Sequence, residues 1–277
     1  MKKLIGITTS KSKTQNFLNQ SYVKAFTTEN TTPIMIPNIF ELKNEIISKE
    51  QKEDIQKHVE MIESKLDALI ISGGSDVNPV ILNKKITDSS SFSYNRDYIE
   101  VELIKLFIKK NKPILGICKG FQLLGNILGL NYFHQDLSFT DEIHAGPRCD
   151  VQTRKEPMHR VHLFGNFKKY CEEKGLEKNG KLLTNSFHHQ GFTYMPDGEY
   201  VTNVEIEDFV TGKVDFHLEK TKTIINNYKD LEITMGTNKV IEGFTHKKYP
   251  IVAFQNHPEE YENSLAINYF LENFINN

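Results

Sequence analysis

Only three of the chain's 277 residues are cysteines, and one of them, Cys118, stands between glycines in the run Gly116-Ile117-Cys118-Lys119-Gly120. An apolar stretch, Ile114–Ile117, leads into it, and a helix-like pattern leads out. Strand, Gly-x-Cys-x-Gly turn and helix make the layout of a nucleophile elbow, with cysteine in the place of serine. The flanking glycines leave room for a crowded turn. The start of the helix aims backbone N–H groups and the positive end of its dipole at the sulfur, a field that favours thiolate and lowers its pKa from about 8.5. Such a nucleophile needs a base. Of the ten histidines, His257 has the best surroundings. It follows the apolar run Ile251–Phe254 closely, and Glu259, two residues on, can reach the far ring nitrogen and fix its tautomer.

The elements that must position these residues alternate through the first half of the chain between short apolar runs and amphipathic segments. That is the pattern of βα units feeding a mainly parallel sheet. The spacing predicts strands at Lys3–Thr9, Pro33–Pro37, Asp67–Ile71 and Ile114–Ile117, and helices at Asn16–Glu29, Glu50–Lys65 and Asp97–Lys110. Open parallel sheets bind ligands beyond the carboxyl ends of their strands, where Cys118 falls and where a second strand would deliver His257. After residue 140 the rhythm becomes β-rich and more antiparallel. Strands are predicted at Arg160–Phe164, Lys181–Thr184, Glu199–Ile206, Lys213–Glu219, Leu231–Met235, Val240–Thr245 and Ile251–Phe254, with a closing helix at Ser264–Ile275.

Composition narrows the function. With 34 basic against 36 acidic side chains and a net charge of -2, the chain has no footprint for nucleic acid or a membrane surface. The apolar stretch after Lys2-Lys3 is too short for a signal peptide, and nothing approaches the length of a membrane span. Cys118, Cys149 and Cys171 are scattered and odd in number, so neither a disulfide framework nor a CxxC metal pair is expected; Cys149 and Cys171 read as bystanders. A reduced, cytoplasmic protein is the expectation, folded as one domain over residues 1–277.

The motifs GICKGFQLLG at 116–125, NSFHHQGF at 185–192 and AFQNHPEE at 253–260 together resemble those of the class I glutamine amidotransferase superfamily. Within it, the chain is most similar to the gamma-glutamyl-gamma-aminobutyrate hydrolase branch of the gamma-glutamyl hydrolases. ISGGSDVNP at 71–79, NRDYIE at 95–100, HQDL at 134–137 and MHRVHL at 158–163 match in the same order, so the likeness spans nearly the whole chain. It implies a flavodoxin-like three-layer α/β sandwich with a central, mainly parallel sheet.

It also implies roles residue by residue. Cys118 matches the nucleophile, His257 the base and Glu259 the third member of the triad. The oxyanion hole falls to the backbone N–H groups of Lys119 and Gly74. Gln122 matches a glutamine that holds the gamma-glutamyl group, and Ser186, Phe187 and His188 match a loop that binds the same group. No cofactor is implied. No metal is expected either, since His159, His162, His188 and His189 have no cysteine or acidic residue beside them at a zinc-site spacing. Arg96, Asp97 and Glu100 read as helix-capping and ion-pairing residues.

Three departures stand out. Lys119 takes the place of an arginine, and Asn256 that of a tryptophan whose loss is expected to widen the pocket. Residues 203–235 read as a β-rich insertion with an Asn226-Asn227 turn, either a lid over the substrate or a surface hairpin. The leading expectation is a cysteine-dependent hydrolase that releases glutamate and an amine from a small gamma-glutamyl substrate. The alternatives are a glutaminase subunit that delivers ammonia to a partner synthase, and a binding module without catalysis. The amine side of the substrate is not legible, and the chain is compatible with a monomer or a homodimer.

Overall fold

In the computed structural model, residues 1–42, 47–89, 91–140, 142, 144, 153–176, 180–211, 228 and 230–276 are described. The first half runs β1 (Lys3–Thr8), a short ribbon of β2 (Ser10–Lys11) and β3 (Asn16–Phe17), α1 (Gln20–Phe26), β4 (Thr31–Ile36), α2 (Lys49–Glu63), β5 (Ala68–Ile71), α3 (Tyr94–Lys109), β6 (Ile114–Ile117) and α4 (Lys119–Ile127). The second half runs β7 (Phe133–His134), β8 (His159–Leu163), α5 (Gly165–Glu173), β9 (Lys181–Thr184), β10 (Gly191–Thr193), α6 (Asn203–Thr211), β11 (Leu231–Gly236), β12 (Val240–His246), β13 (Ile251–Phe254) and α7 (Leu265–Phe270), which continues as a π-helical turn over Leu271–Ile275.

β4, β1, β5, β6 and β13 lie side by side in that order and are all parallel. This is the 2-1-3-4-5 order of flavodoxin-like sheets. Every residue of β5, β6 and β13 is buried, as strands covered on both faces must be. Alternation divides their side chains between two cores. Leu69, Ile71, Ile114, Ile251 and Ala253 pack with α2, α3 and α4 on one face. Ala68, Ile70, Leu115, Ile117, Val252 and Phe254 pack with α1, α5 and α7 on the other. The expected three-layer sandwich is therefore present. β12, β11, β8 and β9 extend the sheet beyond β13 in antiparallel fashion, and β10 pairs with both β12 and β7.

Two expectations fail locally. The helix predicted over Asn16–Glu29 begins only at Gln20, because Asn16 and Phe17 pair with Lys11 and Ser10, and the Asn16 Oδ1 accepts from the Asn38 N–H at 2.8 Å. The strand predicted over Glu199–Ile206 is not formed; its last residues open α6. Thr202 and Glu205 make a capping box in which the Thr202 N–H donates to Glu205 Oε2 at 2.7 Å and the Glu205 N–H donates back to Thr202 Oγ1 at 3.2 Å. α6 docks against α5 through the Lys168–Glu207 ion pair at 2.8 Å. The predicted strand Lys213–Glu219, the Asn226-Asn227 turn and Cys149 lie outside the described residues. Among the described residues, no helix is long and apolar enough to cross a membrane.

Candidate active site

β5, β6 and β13 are in register, with Ile71 beside Gly116 and Ile117 beside Phe254, so their chains leave the sheet at one edge. That edge receives Ser72-Gly73-Gly74, Cys118 and Gln255-Asn256-His257 together. Cys118 is the residue between β6 and α4, and it takes φ 52° and ψ −104°. For a residue with a Cβ this backbone costs on the order of 1–3 kcal/mol, and surrounding contacts must hold it. The neighbouring glycines give the room for a crowded turn that their positions suggested, while the positive φ falls on the cysteine itself. A Cβ at Gly120 would lie 2.1 Å from the Ile71 carbonyl oxygen, and one at Gly116 would lie 2.7 Å from the Gly120 backbone. Glycine here lets α4 press directly on the strand ends.

His257 Nδ1 donates to Glu259 Oε1 at 2.7 Å. Burial alone would lower the ring's pKa, but the charges of Glu259 and of the Cys118 sulfur, with hydrogen bonds to both, push it up to about 10. The ring is thus held as an imidazolium between a carboxylate and the Cys118 sulfur. Asn185 clamps the backbone of the same residue: its Oδ1 accepts from the His257 N–H at 3.0 Å and its Nδ2 donates to the His257 carbonyl at 3.1 Å. Phe187 packs edge-on against the ring at 5.9 Å. Gly73 lies so close that a Cβ there would be 2.6 Å from His257 Cε1 and 3.5 Å from Cys118 Cβ. Its N–H donates to the Tyr22 hydroxyl at 2.8 Å. Burial, then the charge of Glu259, keeps the pKa of that phenol well above its ordinary value.

The Gly73 N–H is thus engaged, whereas the next residue, Gly74, is exposed and lines the cleft, and its N–H makes no hydrogen bond among the described residues. The Lys119 N–H, first in α4, has no partner within the helix. These are the two groups expected to form the oxyanion hole. The Lys119 side chain points away from the cleft into a buried cluster. Its Nζ meets Asp97 Oδ1 at 2.5 Å and also contacts Glu100 Oε2, while Arg96 Nε donates to Glu100 Oε1 at 2.8 Å. Arg96 continues to the Ser72 carbonyl at 2.8 Å, the Gly73 carbonyl at 3.1 Å and Ser10 Oγ at 2.7 Å. Burial raises the pKa of Asp97 despite Lys119, whereas at Glu100 the burial effect is overcome by Arg96 and Lys119 and the pKa falls.

These groups border a cleft of about 450 Å³ lined by Tyr22, Gly73, Gly74, Cys118, Arg154, Phe187 and His257 among others. A second hollow of about 570 Å³ opens beside α1 over Glu259 and Glu260, but no cysteine lines it. Arg154 stands at the border of both, over the Phe187 ring, and the sequence reading missed it. Cys171 is sealed in the core, where burial pushes its thiol up to about 12.

Not every expected residue reaches the cleft. Gln122 does not line it, because its amide nitrogen donates to the Gln190 carbonyl at 3.0 Å and Gln255 Oε1 at 3.2 Å, tying α4 to the approach to β10. Of the loop Ser186, Phe187 and His188, only Phe187 lines it. Ser186 Oγ donates to the His144 carbonyl at 2.5 Å, and His188 Nδ1 donates to the Gln190 carbonyl at 2.9 Å. Asn256 is buried with its Nδ2 on Thr184 Oγ1 at 2.5 Å, so its replacement of an aromatic residue does not shape the described cleft. No described residue of 203–235 lines the cleft either.

Comparison with known proteins follows this geometry. The sequence model of the peptidase C26 family matches residues 3–259. A protein of Lactococcus lactis subsp. lactis named as glutamine amidotransferase-like, YvdE, is 25% identical over 252 residues, covering 88% of this chain and 81% of its own. Among solved structures, the glutaminase domain of Trypanosoma brucei CTPS with bound acivicin superposes with a TM-score of 0.54 at 11% identity, covering 97% of this chain and 92% of its own. A Thermoplasma acidophilum protein named for GMP synthase gives 0.52 at 16% identity, covering 99% and 94%. At these identities the structural likeness concerns the fold.

Proposed function

The chain belongs to the peptidase C26 family, and from that premise we propose that it is a cysteine-dependent hydrolase of gamma-glutamyl amides, releasing glutamate and an amine. The observation that carries this reading is the strained Cys118 elbow set beside the His257–Glu259 pair and the Gly74 and Lys119 N–H groups, all at one sheet edge.

The steps follow from these positions. The Cys118 thiolate attacks the gamma-carbonyl carbon, and the C=O electron pair moves onto oxygen. The N–H groups of Gly74 and Lys119 meet that oxyanion, each donor worth roughly 3 kcal/mol. The His257 imidazolium gives its proton to the leaving nitrogen, the C–N bond breaks, and an acyl thioester remains on Cys118. His257, now neutral, takes a proton from water. The hydroxide adds to the thioester, the sulfur leaves as thiolate, and glutamate is freed. Arg154 supplies a guanidinium at the cleft border for the substrate's alpha-carboxylate. The cleft runs on from Cys118 past Ser10, Phe17 and Leu18, room that favours an amide with a substantial amine over free glutamine with a docked synthase.

The test is glutamate release from a panel of gamma-glutamyl amides, together with labelling by a chloroketone analogue of glutamine. One adduct per chain on Cys118 is expected, with turnover abolished in Cys118→Ala and its far-UV spectrum unchanged. Turnover by a clean Cys118→Ala preparation would refute the nucleophile, and absence of any adduct would favour a binding module.

A further inference from the structure

Phe187 faces the cleft, but its neighbours Ser186 and His188 point back into the protein, towards a cluster that plays no part in the chemistry above. Three imidazoles converge there on one carboxylate oxygen. From Glu242 Oε1 it is 3.1 Å to His159 Nε2, 3.2 Å to His144 Nδ1 and 3.8 Å to His188 Nε2. The donor atoms of His144, His159 and Glu242 all lie within 4.8 Å of one another. Ligands placed 2.0–2.1 Å from a zinc ion in a tetrahedron are separated by roughly 3.3 Å, close to the spacings from Glu242 to His159 and His144.

We infer that His144, His159 and Glu242 form a site for a divalent cation, with zinc a match to an imidazole and carboxylate set, which holds the Ser186–His188 loop from behind.

Hydrogen bonding alone leaves the cluster unsatisfied. An oxygen with two lone pairs cannot accept from three rings. His144 Nδ1, His188 Nε2 and Glu242 Oε2 are buried with no hydrogen-bond partner among the described residues, although their side chains are almost wholly enclosed. The surrounding groups also orient two of the rings. The Gln190 carbonyl accepts the His188 Nδ1–H at 2.9 Å, which leaves the lone pair on Nε2, the atom that faces Glu242. Glu142 Oε2 lies 3.2 Å from His144 Nε2 and accepts from Thr237 Oγ1 at 2.8 Å, which places a second carboxylate on the side of the ring away from Glu242. A doubly charged cation would be neutralised by Glu242 and Glu142. The ligands come from a loop, β8 and β12, so no short spacing in the chain announces them. Because the His144 carbonyl accepts from both Ser186 Oγ and the His188 N–H, a bound ion would order the loop that presents Phe187 to His257.

The test uses the full chain, stripped with a chelator and titrated with zinc against a chromophoric competitor. One zinc per chain is expected, with a rise in Tm on loading. Glu142→Gln should weaken binding about 10- to 100-fold, as loss of a partner to a ligating histidine does. Glu242→Gln and His159→Ala should weaken it further and lose the Tm rise, while Cys118→Ala should bind as the wild type does. His159 is partly exposed, so that variant reports even where Glu242→Gln fails to fold. Absence of stoichiometric zinc in the wild type, undiminished affinity in His159→Ala, or loss of zinc in Cys118→Ala would each overturn the assignment.

Discussion

Replacing Glu259 by glutamine keeps the shape of the side chain and removes the charge that holds the His257 imidazolium. The distance between an ordinary histidine pKa of 6.5 and the value of about 10 in the fold amounts to roughly 5 kcal/mol of preference for the protonated ring. Glu259 and Cys118 share it, and the charge of Glu259 is the larger influence after burial, which acts in the opposite direction. Assigning about half to Glu259 gives roughly 2 to 3 kcal/mol, or on the order of 30- to 150-fold in kcat, with the alkaline limb of the pH profile moved down by about 2 pH units. The assay is glutamate release measured from pH 6.5 to about 10, alongside the rate of Cys118 alkylation by iodoacetamide over the same range. Stability gives a second reading. The folded ring keeps its proton up to about pH 10 while the unfolded one loses it near 6.5, so the contribution is full below 6.5 and fades as pH rises to 10. The wild type should therefore lose stability across that window, and Glu259→Gln should show a flatter slope. A Glu259→Gln enzyme with kcat within a factor of about three of the wild type and an unmoved alkaline limb would refute the orienting role.

Two further perturbations read the geometry around the elbow. Gly73→Ala places a Cβ 2.6 Å from His257 Cε1 and 3.2 Å from the Tyr22 hydroxyl, so the ring must retreat; kcat should fall by roughly 100-fold with the alkylation of Cys118 retained, and an unchanged kcat would count against the close packing. Glu100→Gln leaves Lys119 and Arg96 buried with Asp97 as their remaining carboxylate, which should cost about 3–5 kcal/mol in denaturant unfolding; a loss below about 1 kcal/mol would show that the cluster is relaxed by water.

Where the site was legible in the sequence, it was because strand ends are legible. β5, β6 and β13 are fully apolar runs with abrupt polar or glycine ends, so the rule that ligands gather beyond carboxyl ends led directly to Cys118 and His257. Glu259 followed from its separation of two residues alone. What stayed hidden depends on contacts made across the fold. The acidic residues at the start of α3 were visible as helix-capping groups, but nothing in the chain says that Lys119, on α4, is the cation they enclose. Asn185 sits in a motif whose chemistry had been noticed, yet its clamp on His257 joins residues 72 positions apart. The error at Glu199–Ile206 is of another kind. Alternating apolar positions suggested a strand, while Thr202-x-x-Glu205 was a readable start signal for α6 that the alternation outweighed.

The buried charges explain how a strained turn and a mobile kind of residue, glycine, can present two N–H groups at a fixed separation. Exchanging such a cluster for apolar side chains is often neutral or stabilising, so stability alone does not account for four charges in this place. Direction does. Arg96 grips the carbonyls of Ser72 and Gly73, Glu100 grips Arg96, and Lys119 closes the chain at the first residue of α4, one peptide from Cys118. A Cβ at Gly74 would lie 2.2 Å from the Arg96 guanidinium, so the loop cannot slide along its support. These side chains, with Asp97 on Lys119, therefore set the position of both proposed oxyanion donors relative to the sulfur. Any change that lengthens one link should alter kcat before it alters substrate binding, because the separation of the two N–H groups matters most when the carbonyl oxygen becomes an anion.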